Sequence, residues 1–417
     1  MSARRRALVI GGSMGGLFAA NLLARAGWDV NVFERIGVEL AGRGAGIVTH
    51  DELFDAIRRA GAAIDDTIGC TTHSRVTLDR GGKIVAELPL DQILTAWGRL
   101  YRLLKDVFPR THYHFNKSLT RIEQDDATVT AHFADGSHAE GELLIGADGI
   151  RSTVRAQFLP QAKPQYVGYL AWRGLAEETA VGDEARHMLS DRMGFCLPPG
   201  EQMLTYLVAG RNNSTTPGAR RFNFVWYRAA AEHTELRALF TDAQGRYYQQ
   251  NIPPDRIRPE VITDMYAIAE RLLAPVFVDV IKATNEPLFQ PIYDLESSQL
   301  AFGRVAILGD AAFVARPHVG LGVTKAAGDA VALVDALIAH ADDVDAALAL
   351  YQAQRLEFGR AIVDHARLLG LGVGAAAIAG PQATLIAHLR RPEVVMREIA
   401  VPDWADRSFA LRRLQVT

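Results

Sequence analysis

The feature that most constrains this chain is a glycine cluster, GGSMGG at Gly11 to Gly16, lying between an apolar run and a stretch of helical periodicity. Ala7 to Ile10 (ALVI) reads as a short buried strand, and Leu17, Ala20, Leu23 and Ala24 then recur at the spacing of one helix face. Gly27 supplies a C-cap, and DVNVF at Asp29 to Phe33 predicts a second strand. Strand, glycine turn, helix and strand make a βαβ opening. Such a turn lets backbone N–H groups approach a pyrophosphate without Cβ obstruction, and the helix dipole adds positive potential there. Ser13 replaces the middle glycine of GxGxxG. Glu34 ends the second strand 18 residues after Gly16, close to the spacing of about 20 at which an acid meets an adenosine ribose. A purely structural glycine turn and a solvated strand-end acid are the alternatives at these two places.

At about 150 residues per domain, a chain of 417 residues predicts two to three domains. A formal net charge of −3 with no Lys/Arg tract argues against nucleic acid as a partner. The two cysteines, Cys70 and Cys196, have no CxxC spacing, so neither a disulfide framework nor a structural zinc is expected. Arg4, Arg5 and Arg6 precede an apolar run, but the glycines interrupt it before a signal sequence could be built. The longest weakly polar stretch, Leu368 to Ile378, is too short to span a bilayer. A cytoplasmic protein with no membrane segment is the expectation.

Further along, Ser118 to Gln124 and Thr128 to Phe133 read as antiparallel strands with a turn at Asp135 and Gly136, and Leu143 to Ile145 as a strand returning to the first sheet. From about Tyr166 to Tyr227 the texture becomes that of an antiparallel sheet. Helices are expected over roughly 229 to 285, then a strand at Val305 to Leu308 and a long amphipathic helix to about His340. The expected fold is α/β: a Rossmann-like nucleotide-binding domain (1–75, 98–165 and 298–375), an inserted antiparallel-sheet domain (76–97 and 166–297) and a C-terminal helical segment (376–417).

Two more motifs follow strands: GADGIRSTVR at Gly146 to Arg155, and GDAAFVARPHVGLG at Gly309 to Gly322. With the first motif and Glu34, they resemble the single-component FAD-dependent aromatic hydroxylases of the 4-hydroxybenzoate hydroxylase fold. The segment ARPHVGLGVTKAAGDA, with GAGIVTH at 44–50 and RRFNFVWYR at 220–228, is most similar to the hydroxypyridine-hydroxylating members. Phe313 stands where the family usually has a histidine.

The resemblance implies FAD as cofactor, NADH or NADPH as electron donor, O₂ as co-substrate and hydroxylation of a small aromatic N-heterocycle through a flavin C4a-hydroperoxide. It implies a cofactor site in which Gly11, Ser13 and Gly16 hold the pyrophosphate and Glu34 the adenosine ribose, with Met14 and Arg35 also among the cofactor-binding residues. Asp148 and Gly149 lie near the pyrophosphate, and Asp310 at the ribityl chain. Pro317, Gly320, Gly322 and Val323 line the flavin, and Arg43 is the mobile-loop arginine. The family's Arg or Gln before the helix near residue 100 falls on Trp97, leaving Arg99 as the candidate.

A hydroxypyridine becomes a better nucleophile on losing its proton, so a histidine titrating near neutrality would be a suitable acceptor. His318, inside the flavin-side loop, is the first candidate and His50 the second. Tyr206, Trp226 and Tyr227 are candidate walls of the substrate pocket, against ordinary sheet core, and Arg211, with Arg220 and Arg221, is a candidate for a carboxylate, against a polar loop. His112 and His114 lack a third ligand, so no metal is expected. A same-fold hydroxylase of phenolic acids and a non-turnover FAD redox module are the alternatives; the WxWxIP signature of flavin halogenases is absent. The C-terminal segment, including Ala400 to Thr417, could pack on its own subunit or on a partner, and a homodimer is one assembly consistent with the second.

Overall fold

The computed structural model describes residues 5–40, 46–249, 251–340, 343–374 and 382–402. The ALVI run lies in strand Arg6–Ile10, which pairs in parallel with Asp29–Phe33 on one side and Leu143–Gly146 on the other. Val305–Ile307 adds in parallel beyond Leu143–Gly146, and the short strands Ala301–Phe302 and Tyr113–His114 close the two edges of a six-stranded sheet. The central strands are covered on both faces, which is why they read as unbroken apolar runs.

Helix Met14–Arg25 lies on one face beside the long helix Gly322–Ala339. It is apolar nearly all round because sheet and helix bury both sides of it. Its one buried amide, Asn21, is satisfied by donating to the carbonyls of Leu17 and Leu104, each at 2.9 Å. A three-stranded sheet of Leu119–Gln124, Val129–Phe133 and His138–Gly141 sits at the other face, where the Phe133 ring lies 4.7 Å from that of Phe33.

The second sheet has nine strands, in the order Phe313–Val314, Leu288–Glu296, Gln165–Glu177, Arg221–Ala229, Gln202–Val208, Arg192–Cys196, Cys70–Leu78, Ile84–Ala96 and Gly46–Val48. It differs from the expected all-antiparallel insert in one pair, since Arg192–Cys196 runs parallel to Cys70–Leu78. The expected boundary at 75/76 falls inside strand Cys70–Leu78, and Gly46–Val48 also hydrogen-bonds into this sheet. Within 229–285 the helices are Pro259–Leu272 and Pro275–Lys282, preceded by a helical turn at Glu232–Leu239, a turn at Gly245 and a single 3-10 turn at Pro254–Arg256 that follows Pro253. Glycine and proline break the periodicity that predicted one helical block.

Alternation divides this sheet into two faces with different partners. Met203, Leu207, Phe222, Phe224 and Trp226 pack outward under the two helices from Pro259 to Lys282. Tyr169, Leu204, Tyr206, Val225 and Tyr227 face inward, toward helix Val344–Gly370 and the C-terminal stretch at Met396 to Ala400. The described part of that stretch packs on its own subunit. No helix among the described residues is long and apolar enough to cross a membrane.

Candidate active site

The three glycine motifs leave the carboxyl ends of three adjacent parallel strands, Arg6–Ile10, Leu143–Gly146 and Val305–Ile307. In open α/β sheets this edge is where nucleotides bind. Gly11 has φ +101°, and a Cβ there would strike the Ala147 carbonyl of the second motif. A Cβ on Gly16 would strike the carbonyl of Gly11. The first two turns therefore touch backbone to backbone and leave no room for side chains. Glu34 is buried and accepts from the N–H of Gly12 and of Ile36, both at 2.8 Å, so the carboxylate stands against the glycine turn at the end of its strand. Arg35 beside it is exposed. Ser13 is the N-cap residue of helix Met14–Arg25 without a side-chain cap bond, leaving the helix N–H groups open; the Met14 side chain belongs to the core.

Asp148 stands against the first glycine turn, its Cα 2.9 Å from where a Gly11 Cβ would sit. Its Oδ2 accepts from the N–H of Thr153 at 2.7 Å and of Val154 at 3.3 Å, capping helix Thr153–Phe158. Its Oδ1 is buried without a partner, and burial raises the carboxyl above its ordinary value despite hydrogen bonds from Ser152 and the backbone. Gly149 follows with φ +80°, in a conformation that favours glycine.

Arg155, which sequence reasoning did not single out, ties the second motif to the third. Its guanidinium donates to the carbonyls of Ala311 at 2.9 Å and Ile150 at 2.6 Å. Asp310 is reached by solvent, yet protein surrounds it closely enough for burial to raise its carboxyl, with Lys325 opposing the shift and Asp329 adding to it. Below it, Asp329 accepts from the Gly309 N–H at 3.0 Å and from Arg355 Nε at 2.7 Å. Lys325, 2% exposed, stands 3.7 Å from the same carboxylate with no hydrogen bond of its own. The signal for these residues was present in TKAAGDA, where Lys325 and Asp329 are one helical turn apart.

The flavin-side loop begins at exposed Pro317, turns at Gly320 (φ +69°) and enters helix Gly322–Ala339, whose N-terminus has no side-chain cap. A Cβ on Gly322 would meet nothing within 4 Å, so the helix end opens onto free space; Val323 is half-buried next to it. Its unsatisfied N–H groups and dipole favour negative charge there. Arg43 lies outside the described residues. Arg99 is engaged by the preceding loop, donating to Thr67 Oγ1 at 2.8 Å with Asp65 at 3.3 Å.

The two histidine expectations need correction. His318 is 1% exposed, and its Nε2 is 2.9 Å from the Tyr169 hydroxyl. Burial, with Arg316 adding, pushes it down to about 3, far from the neutral titration expected of a general base. His50 is buried, with Nδ1 at 2.7 Å from Thr324 Oγ1 and Nε2 at 3.1 Å from the Val401 carbonyl, so it braces the helix start against the C-terminal stretch.

The sheet candidates separate by face. Tyr206 is on the inner face, and burial pushes its phenol up to about 12. Trp226 is on the outer face, donating from Nε1 to Glu201 at 2.8 Å, because one step along a strand reverses the side chain. Its neighbour Tyr227 takes the inner place, with its ring 4.3 Å from that of His318. Arg211 sits in an exposed loop, paired with Glu177 at 3.0 Å. The inner face also carries Arg173 and Asn223, which sequence reasoning missed. His112 and His114 are each hydrogen-bonded to the Asp29–Phe33 strand, through the Val30 carbonyl and Asn31. No group of three or more His, Cys, Asp or Glu that could hold a metal is found among the described residues.

Comparison with known proteins agrees with this geometry. The FAD binding domain family matches residues 4–166 and 263–366, and an FAD binding domain-like family matches 166–294. The chain is 32% identical over 363 residues to 2,6-dihydroxypyridine 3-monooxygenase of Paenarthrobacter nicotinovorans, covering 87% of this chain and 90% of that one. The structure of 2,6-dihydroxypyridine-3-hydroxylase from Arthrobacter nicotinovorans superposes with a TM-score of 0.83 at 30% identity, covering 90% and 96% of the two chains. HpxO of Klebsiella pneumoniae, complexed with FAD and uric acid, superposes with a TM-score of 0.72 at 25% identity over 94% and 97%. The glycine cradle, the ribose-spaced Glu34 and the solvent-reached Asp310 fit an elongated dinucleotide, and the chain belongs to the FAD binding domain family of FAD-dependent monooxygenases.

Proposed function

We propose that this protein hydroxylates an oxygenated N-heterocycle, a hydroxypyridine in the first instance, using FAD, NAD(P)H and O₂. One ring C–H becomes C–OH, the second oxygen atom leaves as water, and NAD(P)H with a proton supplies the two electrons. The observation that carries this reading is the juxtaposition of the open N-terminus of helix Gly322–Ala339 with an inner sheet face bearing Tyr227, Tyr206 and Arg173. Both solved relatives described above also carry oxygenated N-heterocycles in their names or complexes.

When bound, FAD supplies the redox chemistry, accepting a hydride and activating O₂. The remaining work belongs to the chain. Gly11 to Gly16 would admit the pyrophosphate, Glu34 would hold the ribose and Asp310 the ribityl chain. Asp148 acts indirectly, by fixing the turn through its cap on helix Thr153–Phe158. The open helix end at Gly322 would stabilise negative charge placed before it by about 0.3–1 kcal/mol, or about 2 when partly buried. His318 is a neutral positioning residue that holds the Tyr169 hydroxyl, rather than a base. The inner sheet face and the stretch at Ala400 exclude water, which would otherwise divert activated oxygen to peroxide. Dependence on the NAD(P)H pool makes the cytoplasm the expected compartment.

The test is direct. Purified protein should be yellow, and a hydroxypyridine should accelerate NAD(P)H oxidation with matched O₂ uptake and give a product carrying one more oxygen atom. Bound flavin with no stimulation by any ring in a panel of hydroxypyridines, urate and hydroxybenzoates would sink the proposal.

A further inference from the structure

The inner face of the nine-stranded sheet carries buried donors with no partner among the described residues. Asn223 is 1% exposed; its Oδ1 accepts from the Gly46 N–H at 3.0 Å, which sets the orientation of the amide and leaves Nδ2 without a partner. Arg173 lies on the neighbouring strand, one diagonal step away, since Leu175 pairs with Asn223 and Arg173 with Val225. Its Nη1 donates to Gln290 Oε1 at 3.1 Å, while its Nε is buried and unpartnered. Tyr206 is directly across from Asn223 on the third strand. The Arg173 guanidinium lies near enough for its charge to act on both Tyr206 and Tyr227, which share this face.

A buried donor left unpaired costs about 1–3 kcal/mol, and native structures seldom retain one without a use. Both orphans are donors with no acceptor capacity, one cationic and one neutral. The complementary ligand therefore offers at least two acceptors, of which one is anionic. Diagonal neighbours on a sheet stand about 7–8 Å apart at the backbone, within reach of a single flat ring held between long side chains. A phenol, with one oxygen, would satisfy one donor and leave the other buried and unpaired.

Resting on the hydroxylase reading above, we propose that Arg173 and Asn223 are the recognition pair of the substrate site. They select planar N-heterocycles in which an oxyanion or oxo oxygen is accompanied by a second in-plane acceptor. Arg173 holds the anionic oxygen, and Asn223 Nδ2 donates to the second acceptor.

The experiment titrates the FAD-loaded enzyme with 2,6-dihydroxypyridine, urate and phenol, reading Kd from the change in flavin absorbance and, separately, kcat and KM. Asn223→Asp keeps the acceptor for the Gly46 N–H and removes the donor; Arg173→Met removes the charge at similar length. Each should raise Kd and KM for the two-acceptor ring about 10- to 100-fold, as expected for a lost charge-assisted or buried hydrogen bond, with flavin content unchanged. Arg173→Lys should recover part of the loss. Should Arg173→Met or Asn223→Asp fail to retain flavin, the wild type carries the test alone, because it should bind the two-acceptor ring at least about tenfold tighter than phenol. Wild type binding phenol equally well, or flavin-replete variants with parental Kd for 2,6-dihydroxypyridine, would overturn the assignment of Arg173 and Asn223. A wild type that holds flavin but responds to no ring, in absorbance or in NAD(P)H oxidation, fails at the earlier step and overturns the hydroxylase reading with it.

Discussion

The backbone N–H of Ala400 donates to the carbonyl of His318 at 2.9 Å, joining the C-terminal stretch to the loop that precedes the open helix end. Arg75, 1% exposed on strand Cys70–Leu78, secures that stretch from the other side. Its guanidinium donates to the carbonyls of Met396 at 2.9 Å and of Ile399 and Ala400 at 2.6 Å, and to Gln92 Oε1 at 2.6 Å. Arg75→Met should destabilise the protein by about 3 kcal/mol, since it leaves buried carbonyls without donors. Chemical denaturation checks this: an unchanged midpoint would show that the clasp contributes nothing.

Gly11 combines φ +101° with a Cβ position that collides with Ala147. Gly11→Ala should cost about 1–3 kcal/mol through backbone strain and push the first two glycine turns apart. Flavin content per folded chain should fall well below that of the parent; an alanine variant that purifies with full flavin would contradict the cradle.

Asp310→Asn keeps the size of the side chain and removes the anionic acceptor beside Lys325. FAD affinity should drop by about tenfold, the equivalent of one modest hydrogen bond. Fluorescence titration of the apoprotein with FAD reads this directly, and equal Kd values would remove Asp310 from the cofactor site.

His318 makes stability fall in acid. It is neutral in the fold, where burial pushes it down to about 3, but in the unfolded chain it takes up a proton near its ordinary value. Between those limits the unfolded state binds more protons, so stability rises with pH across that window and His318 adds no pH dependence above about 6.5. The expected contribution is about 1 kcal/mol per pH unit below neutrality, with His365, pushed down to about 4 by burial, acting in the same direction. Denaturation curves at pH 7.5 and about pH 5.5 test it: His318→Asn should flatten the difference relative to the parent. The same shift predicts that substrate oxidation has no His318-dependent inflection near pH 6.5.

Much of the cofactor half was legible before the structure. The strands at Arg6–Ile10, Leu143–Gly146 and Val305–Ile307 are buried almost throughout, so their composition marks them, and Gly11 and Gly16 are forced by backbone contacts that any side chain would break. The roles of single polar residues were less readable. Asp148 carries the motif spacing of a cofactor ligand, and only the structure shows that its Oδ2 also accepts from the Thr153 and Val154 N–H groups.

The sequence by itself determined the βαβ opening, the glycine turns and the family to which they belong, since these depend on local sterics and on periodicity within a few residues. The tertiary structure alone decided which of Trp226 and Tyr227 faces inward, that His318 is buried, and that Arg173 and Asn223 are diagonal neighbours on one sheet face. Each of those outcomes turns on strand register or on burial by segments far away in the chain, as when Met396 to Ala400 closes over Arg75. Register and burial are sums over distant contacts, and no short window of residues contains them.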